Sequence, residues 1–337
     1  MLLRKLRKKE VPVINFDYVK PSNEPAALAA AKSPAAQFIA GGTNLVDLMK
    51  RGVAGPEKLV DITGLPMRGI EQKGNSILIG ALALNSEVSE HELIKKHFPL
   101  LSQALNAGAS PQIRNMATVG GNMMQRTRCG YFYDLTMPCN KRTANSGCGA
   151  MEGYNRMHAI FGASENCIAV HPSDMCVALV ALDATVLVSN GKTTRRIRFH
   201  DFHRLPGNDP SKDNTLLKGE LITAVEIPLN KLADHSLYTK IRDRSSYAFA
   251  LVSVAAAMEM DGKKIKEIRL AMGGVAHKPW RLTMAEQFLK GREANAANFK
   301  QAATLALKDA RAYGHNQFKL TLAPNTIVHT LQQLAGI

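Results

Sequence analysis

Five cysteines fall between residues 129 and 176, and the chain of 337 residues has no others. Disulfide scaffolds spread cysteines through much smaller chains, so crowding of this kind points towards a metal site. The surrounding stretch, about residues 126–170, shows neither helical nor strand periodicity. An irregular segment of that length inside a compact domain needs something to fix it, and a bound metal centre would do so. The spacing is C-x9-C-x8-C-x18-C-x8-C. It is neither a ferredoxin CxxC run nor a zinc-knuckle pattern, so thiolates converge only if the loop wraps around the centre. Cys129, Cys139, Cys148 and Cys167 lie in the aperiodic stretch. Cys176 falls inside an expected helix, where a small apolar residue would serve equally well, and it reads as core packing. The competing choice, Cys176 as a ligand in place of Cys167, requires that helix to begin at the centre.

Ordered structure is expected on both sides of this loop. Glu24–Lys32 and Thr43–Lys50 read as helices, and Gln37–Ala40, Leu59–Ile62 and Ser76–Gly80 as strands. Glu87–Ala107 is helical with an interruption near Pro99. After the loop, Ser173 or Asp174 caps a helix with apolar positions at Met175, Ala178, Leu179 and Leu182. Strands follow at Thr185–Ser189, Glu220–Ile227 and Leu237–Ile241, then a hairpin of Ala248–Glu259 with Ile265–Val275 around Asp261-Gly262. The chain ends in helices over Met284–Lys290, Ala294–Arg311 and Asn325–Leu334. A domain boundary is placed near residue 230.

Two glycine-rich turns stand out. In QFIAGGTNLV a strand runs into Gly41-Gly42 and a helix leaves. Glycines there let backbone N–H groups approach an anion, and Thr43 and Asn44 add side-chain donors. That chemistry suits a pyrophosphate, although such turns before helices are common. Neither GxGxxG nor GxxxxGK[ST] occurs, which disfavours a standard dinucleotide fold or an ATPase loop. The second turn lies in AGASPQIRNMATVGGNMMQ.

The formal charge is +15, but aromatics are only 6% and no nucleic-acid-binding motif accompanies the basic runs. Solubility and docking to acidic partner proteins account for the charge better than nucleic acid does. No apolar run is long enough to span a bilayer. The basic leader, residues 1–15, lacks the apolar segment of a secretory signal. The expected location is therefore cytoplasmic, or periplasmic by co-export with a signal-bearing partner.

Taken together, FIAGGTNL, IRNMATVGGN, HPSDMCVALVALDA, GELITAVEIP, YTKIRDRSSYAFALVSVAAA and MGGVAHKPWR resemble, in order and over most of the chain, the FAD subunits of the xanthine dehydrogenase family of molybdenum hydroxylases. The cysteine stretch is similar to that of a narrower group, the FAD subunits of bacterial periplasmic aldehyde oxidoreductases, which carry an additional [4Fe–4S] cluster there. The resemblance implies an α+β fold. Residues 16–230 would form a two-part FAD-binding domain of the vanillyl-alcohol-oxidase/CO-dehydrogenase flavoprotein type, with the iron–sulfur loop inserted at 126–170. Residues 231–337 would form a small C-terminal domain of antiparallel strands with helices.

The same resemblance implies that Gln37, Phe38, Ile39, Ala40, Gly41, Gly42, Thr43, Asn44 and Leu45 form one FAD loop, and Thr118, Gly121 and Asn122 the second. Asp174 would bond a ribose or adenine group, or cap its helix. Ile222 would lie against the adenine or the ring system, and Lys240 would stand beside the isoalloxazine, where a cation stabilises reduced flavin. Cys129, Cys139, Cys148 and Cys167 would ligate the cluster, with Arg126, Arg128, Lys141 and Arg142 either compensating its charge or forming a solvated basic loop. Tyr247 is a possible gate for the outside acceptor. The implied partners are a subunit with two [2Fe–2S] clusters and a large molybdenum-cofactor subunit. Electrons from aldehyde oxidation would reach FAD on this chain and leave to an external acceptor. No triad or acid–base pair for the substrate reaction is visible. A self-sufficient flavin oxidoreductase and a basic scaffold holding zinc are the two rival readings.

Overall fold

The computed structural model describes residues 13–337, so most of the basic leader assigned to residues 1–15 lies outside the described residues. Strands β1 (Asp17–Val19), β2 (Ala36–Ile39) and β3 (Lys58–Asp61) form a parallel sheet with β3 in the centre. Parallel neighbours need crossovers, and helices Glu24–Ala30 and Leu45–Lys50 supply them. The first begins where Asn23 Oδ1 accepts the Ala26 N–H, and it buries Ala27 and Leu28 against Val60.

Five antiparallel strands make the second sheet: β4 (Ile70–Lys73), β5 (Ser76–Gly80), β6 (Thr185–Ser189), β7 (Thr194–Arg198) and β8 (Leu221–Pro228). Their order is β4-β5-β8-β6-β7. Its core is shared with helices Pro99–Ala107 and Asp174–Ala181. Every residue of the second helix is buried, because it also packs against the third sheet. That sheet is antiparallel, in the order β12-β11-β10-β9, from β9 (Ser236–Ile241), β10 (Val252–Asp261), β11 (Lys264–Gly273) and β12 (Trp280–Arg281). Helices Thr283–Leu289, Ala296–Ala306 and Lys319–Ala335 cover it with a separate apolar core. The architecture is the expected one, a two-part α+β unit followed by a small antiparallel sheet with helices.

Four strands were not expected: β1, β4, β7 and the two-residue β12. β1, β4 and β7 are short and mostly polar, and each lies at a sheet edge, where one-sided exposure removes the apolar alternation that reveals a strand. β10 starts at Val252 rather than Ala248, leaving the segment before it irregular. The last helix starts at Lys319 and carries Pro324 within it; burial of Lys319 and Ala323 holds a turn that the proline alone would argue against.

The cysteine stretch has one helical turn, Gly130–Tyr133, and isolated bridges such as Cys139 with Cys148. Its basic side chains are braces. Arg126 and Lys141 both pair with Asp213, Lys141 also donates to the Pro210 carbonyl, and Arg128 reaches Asp47. Arg142 caps the carbonyls of Tyr131, Phe132 and Met137. No helix among the described residues is long and apolar enough to cross a membrane.

Candidate functional site

β2 ends at Ile39, with only Ala40 before Gly41-Gly42. Gly42 has φ +69°, in the left-handed region, and Gly41 lets the first loop press on the second. A Cβ on Gly41 would lie 1.8 Å from the Met116 carbonyl oxygen. In the second loop, Thr118 Oγ1 accepts the Gly121 N–H at 3.1 Å and starts the short helix Val119–Met123. The Gly120 N–H is tied to the Ala81 carbonyl at 2.8 Å. The two loops face a cavity of about 810 Å³. Gln37, Phe38, Ile39, Ala40, Gly41, Gly42, Thr43, Asn44, Leu45, Thr118, Gly121 and Ile222 all line it.

Thr43, Asn44 and Gly121 also line a second cavity of about 730 Å³, which holds Asn122, Asp174 and Lys240. Ligand cavities span roughly 300–1,000 Å³, so the pair suits a long ligand lying across the junction. Asn44 sits at that junction with its Oδ1 taken by the Arg126 N–H and its buried Nδ2 without a partner. Asn85, deeper in the second cavity, has a buried Oδ1 in the same condition. Buried polar atoms are rarely left unpaired, and an orphan donor and an orphan acceptor in one double cavity fit a polar cofactor such as FAD.

Asp174 and Lys240 take more definite places than the sequence gave them. The helix cap is Ser173, whose Oγ accepts the Cys176 N–H, and Asp174 is the first helical residue. Its carboxylate accepts from Tyr238 Oη at 2.7 Å and Lys240 Nζ at 2.8 Å. Burial, and then the Asp174 charge, push the Tyr238 hydroxyl well above its ordinary pKa. Lys240 also donates to the Ala107 carbonyl at 2.9 Å, so it enters the cavity wall as half of a buried ion pair rather than as a free cation. Tyr247 lines the same cavity in a left-handed conformation, φ +50°, which is uncommon for a bulky residue.

Cys129, Cys139, Cys148 and Cys167 line a single small cavity with Lys141 and Asn140. Cys176 is fully buried in its helix and is absent from that wall. Burial pushes the Cys129 thiol up to about 11 and the Cys167 thiol up to about 12. A cation bound there would have to displace these protons and take the sulfurs as thiolates. Among the described residues, no three of the four cysteine sulfurs lie within 4.8 Å of one another. A third cavity, lined by Cys129, Tyr131, Arg128, Ser173, Asp174 and Phe249 among others, joins the cysteine wall to the second cavity.

Some of this wall had no sequence signal. Asn85 looks like an ordinary residue of a helix start. The segment 211–216, which lines the first cavity, is a polar loop, and Asp213 becomes conspicuous only once Arg126 and Lys141 converge on it. Burial would raise the Asp213 carboxyl, but Lys141 and then Arg126 bring it down to about 2. His171, His203 and His277 cluster beneath the second glycine loop. Burial lowers all three, to about 4 for His203 and His277, so they are neutral.

Comparison with known proteins adds an independent line. The family described as the FAD binding domain in molybdopterin dehydrogenase matches residues 14–230. The CO dehydrogenase flavoprotein C-terminal domain matches residues 236–334. The chain is 48% identical over 312 residues to the aldehyde oxidoreductase FAD-binding subunit PaoB of Escherichia coli (strain K12), covering 91% of this chain and 94% of that one. It is 28% identical to the glyceraldehyde dehydrogenase medium chain of Sulfolobus acidocaldarius, covering 83% of each. In fold it is similar to carbon monoxide dehydrogenase from Hydrogenophaga pseudoflava, with a TM-score of 0.75 at 22% identity over 95% of this chain and 97% of that one. Quinoline 2-oxidoreductase from Pseudomonas putida 86 gives 0.74 at 23%, over 96% and 98%.

Proposed function

The chain belongs to the family of FAD-binding subunits of molybdopterin dehydrogenases and is an oxidoreductase subunit, and from that premise we propose that it is the flavin-bearing electron-transfer subunit of an aldehyde oxidoreductase. The observation that carries the reading is the double cavity, with both glycine loops on its wall and the unpaired Asn44 Nδ2 at its centre. When bound, FAD supplies the exchange between two-electron and one-electron chemistry. The residues hold and orient it. Gly41 and Gly42 bring backbone to the pyrophosphate, Thr43, Asn44 and Thr118 offer side-chain polar groups, and Ile222 closes the wall. Asp174, Lys240 and Asn122 line the far end, where the neutralised Asp174–Lys240 pair presents dipoles rather than net charge.

A [4Fe–4S] cluster on Cys129, Cys139, Cys148 and Cys167 is part of the proposal. It is supported by their meeting in one cavity and by the resemblance of the cysteine stretch to that of the aldehyde oxidoreductase FAD subunits. When bound, the cluster supplies one-electron storage beside the flavin site. Partners with [2Fe–2S] clusters and with the molybdenum cofactor complete the assembly, the aldehyde being oxidised on the latter, and co-export with a signal-bearing partner would take the complex to the periplasm.

The test is an optical spectrum with flavin and iron counts on the anaerobically purified chain. Flavin bands and about four irons per chain are expected. A colourless, zinc-containing protein would overturn the proposal, and turnover of aldehyde by this chain alone would favour a self-sufficient oxidoreductase.

A further inference from the structure

We propose that His158 is a positioning residue that donates an N–H hydrogen bond to the Cys129 sulfur and thereby sets the reduction potential of the cluster; this rests on the [4Fe–4S] reading above. His158 Nε2 lies 3.1 Å from Cys129 Sγ, and the residue is 6% exposed. An iron-bound thiolate has no proton to give, so the hydrogen in that contact belongs to Nε2. The remaining ring nitrogen, Nδ1, is buried with no partner. With the proton on Nε2, the orphan is a bare lone pair, a lesser penalty than a buried unpaired N–H.

The ring is held from the other domain. The His158 carbonyl accepts from Lys319 Nζ at 2.9 Å and from Asn316 Nδ2 at 3.3 Å. Lys319 is fully buried at the start of the last helix and also donates to the Gly274 carbonyl at 2.6 Å. The His158 N–H is fixed on the Asn155 carbonyl, and the Asn155 side chain is itself tied to the carbonyl of Tyr313 and the N–H of His315. The C-terminal domain thus aims one N–H at one sulfur. A donor there stabilises the more negative, reduced cluster and raises its potential, as hydrogen bonds to cluster sulfurs do.

The experiment is an EPR-monitored redox titration, with iron counts, of the anaerobically purified protein and of His158→Phe and His158→Gln. In His158→Phe the midpoint should move down by roughly 59 mV, which is a tenfold fall in the ratio of reduced to oxidised cluster at fixed potential for a one-electron couple. His158→Gln, which keeps an N–H near the Nε2 position, should recover most of that shift. Iron present at the unaltered level with an unchanged midpoint in His158→Phe would overturn the inference and leave the cluster standing. A wild-type chain without iron would overturn the cluster itself. Should His158→Phe lose its iron, pulsed EPR on wild-type protein labelled with 15N-histidine decides the matter. A histidine nitrogen coupled to the reduced cluster supports the bond, and its absence refutes it.

Discussion

Replacing Gly41 by alanine should weaken flavin binding by about 100-fold or more. The added Cβ would sit 1.8 Å from the Met116 carbonyl oxygen and 2.6 Å from its carbonyl carbon. Both are backbone atoms, so no side chain can swing aside. The gap has to open to at least the 3.4 Å at which contact becomes ordinary, and the loops that would grip the pyrophosphate from two sides must part by that difference. A misplacement on the order of 1 Å costs about 100-fold where function depends on alignment, so a loss of flavin affinity of that order or more is expected. Flavin stoichiometry after gel filtration and a fluorescence titration of the apo chain with FAD would measure it. Gly130→Ala is the control, since nothing lies within 4 Å of its Cβ. If Gly41→Ala bound flavin as tightly as that control, the assignment of this loop contact to flavin binding would be wrong.

Asp213→Asn removes the counter-charge of Lys141, whose side chain is 1% exposed. Breaking a buried pair from one side costs about 3–5 kcal/mol, so urea denaturation should show a loss of that size, and a change below about 1 kcal/mol would contradict the bracing role. Acid should weaken the fold through His203 and His277. Their folded pKa values, about 4, lie below the unfolded value of about 6.5, so stability is complete above 6.5 and falls as pH drops towards 4. The full loss is roughly 3 kcal/mol per ring, and a melting temperature that ignores pH across that window, or a His203→Gln His277→Gln variant with the same pH slope as the parent, would refute the assignment. Cys167→Ser should lose iron and Cys176→Ser should keep it; the opposite pattern would move the fourth ligand to the buried helix.

The strands and helices that bury apolar faces were legible because periodicity records burial. Ser76–Gly80 alternates between Ile77 and Ile79, and Asp174–Ala181 shows its stripe even though the structure buries every face. Edge strands such as Thr194–Arg198 left no such record. The candidate site was legible where it depends on backbone, since glycine pairs announce close approach, and illegible where it depends on side chains meeting across long separations. Nothing local marks Asp213 as the partner of Lys141, or Asp174 as the partner of Lys240. The even choice between solvated and cluster-compensating roles for Arg126, Arg128, Lys141 and Arg142 omitted what the structure shows, four cations spent on acids and carbonyls that close the loop.

Those braces make the two sites mechanically dependent. The Arg126 N–H occupies Asn44 Oδ1 in the first glycine loop, and its guanidinium holds Asp213, which lines the same cavity. Arg128 pairs with Asp47 of the helix that leaves that loop, and Leu48 of the same helix packs with Phe132 and Cys139. The segment that begins the cysteine loop is therefore also a wall of the flavin cavity, and ordering either one orders part of the other. Such coupling would be reciprocal by thermodynamic necessity: whatever factor a metal in the cysteine cavity would contribute to flavin affinity, bound flavin would return to the retention of that metal. An irregular loop too long to order itself is thus tied by its cations and packing to the first glycine loop and its helix, which is how a stretch without periodicity can still be a fixed part of the fold.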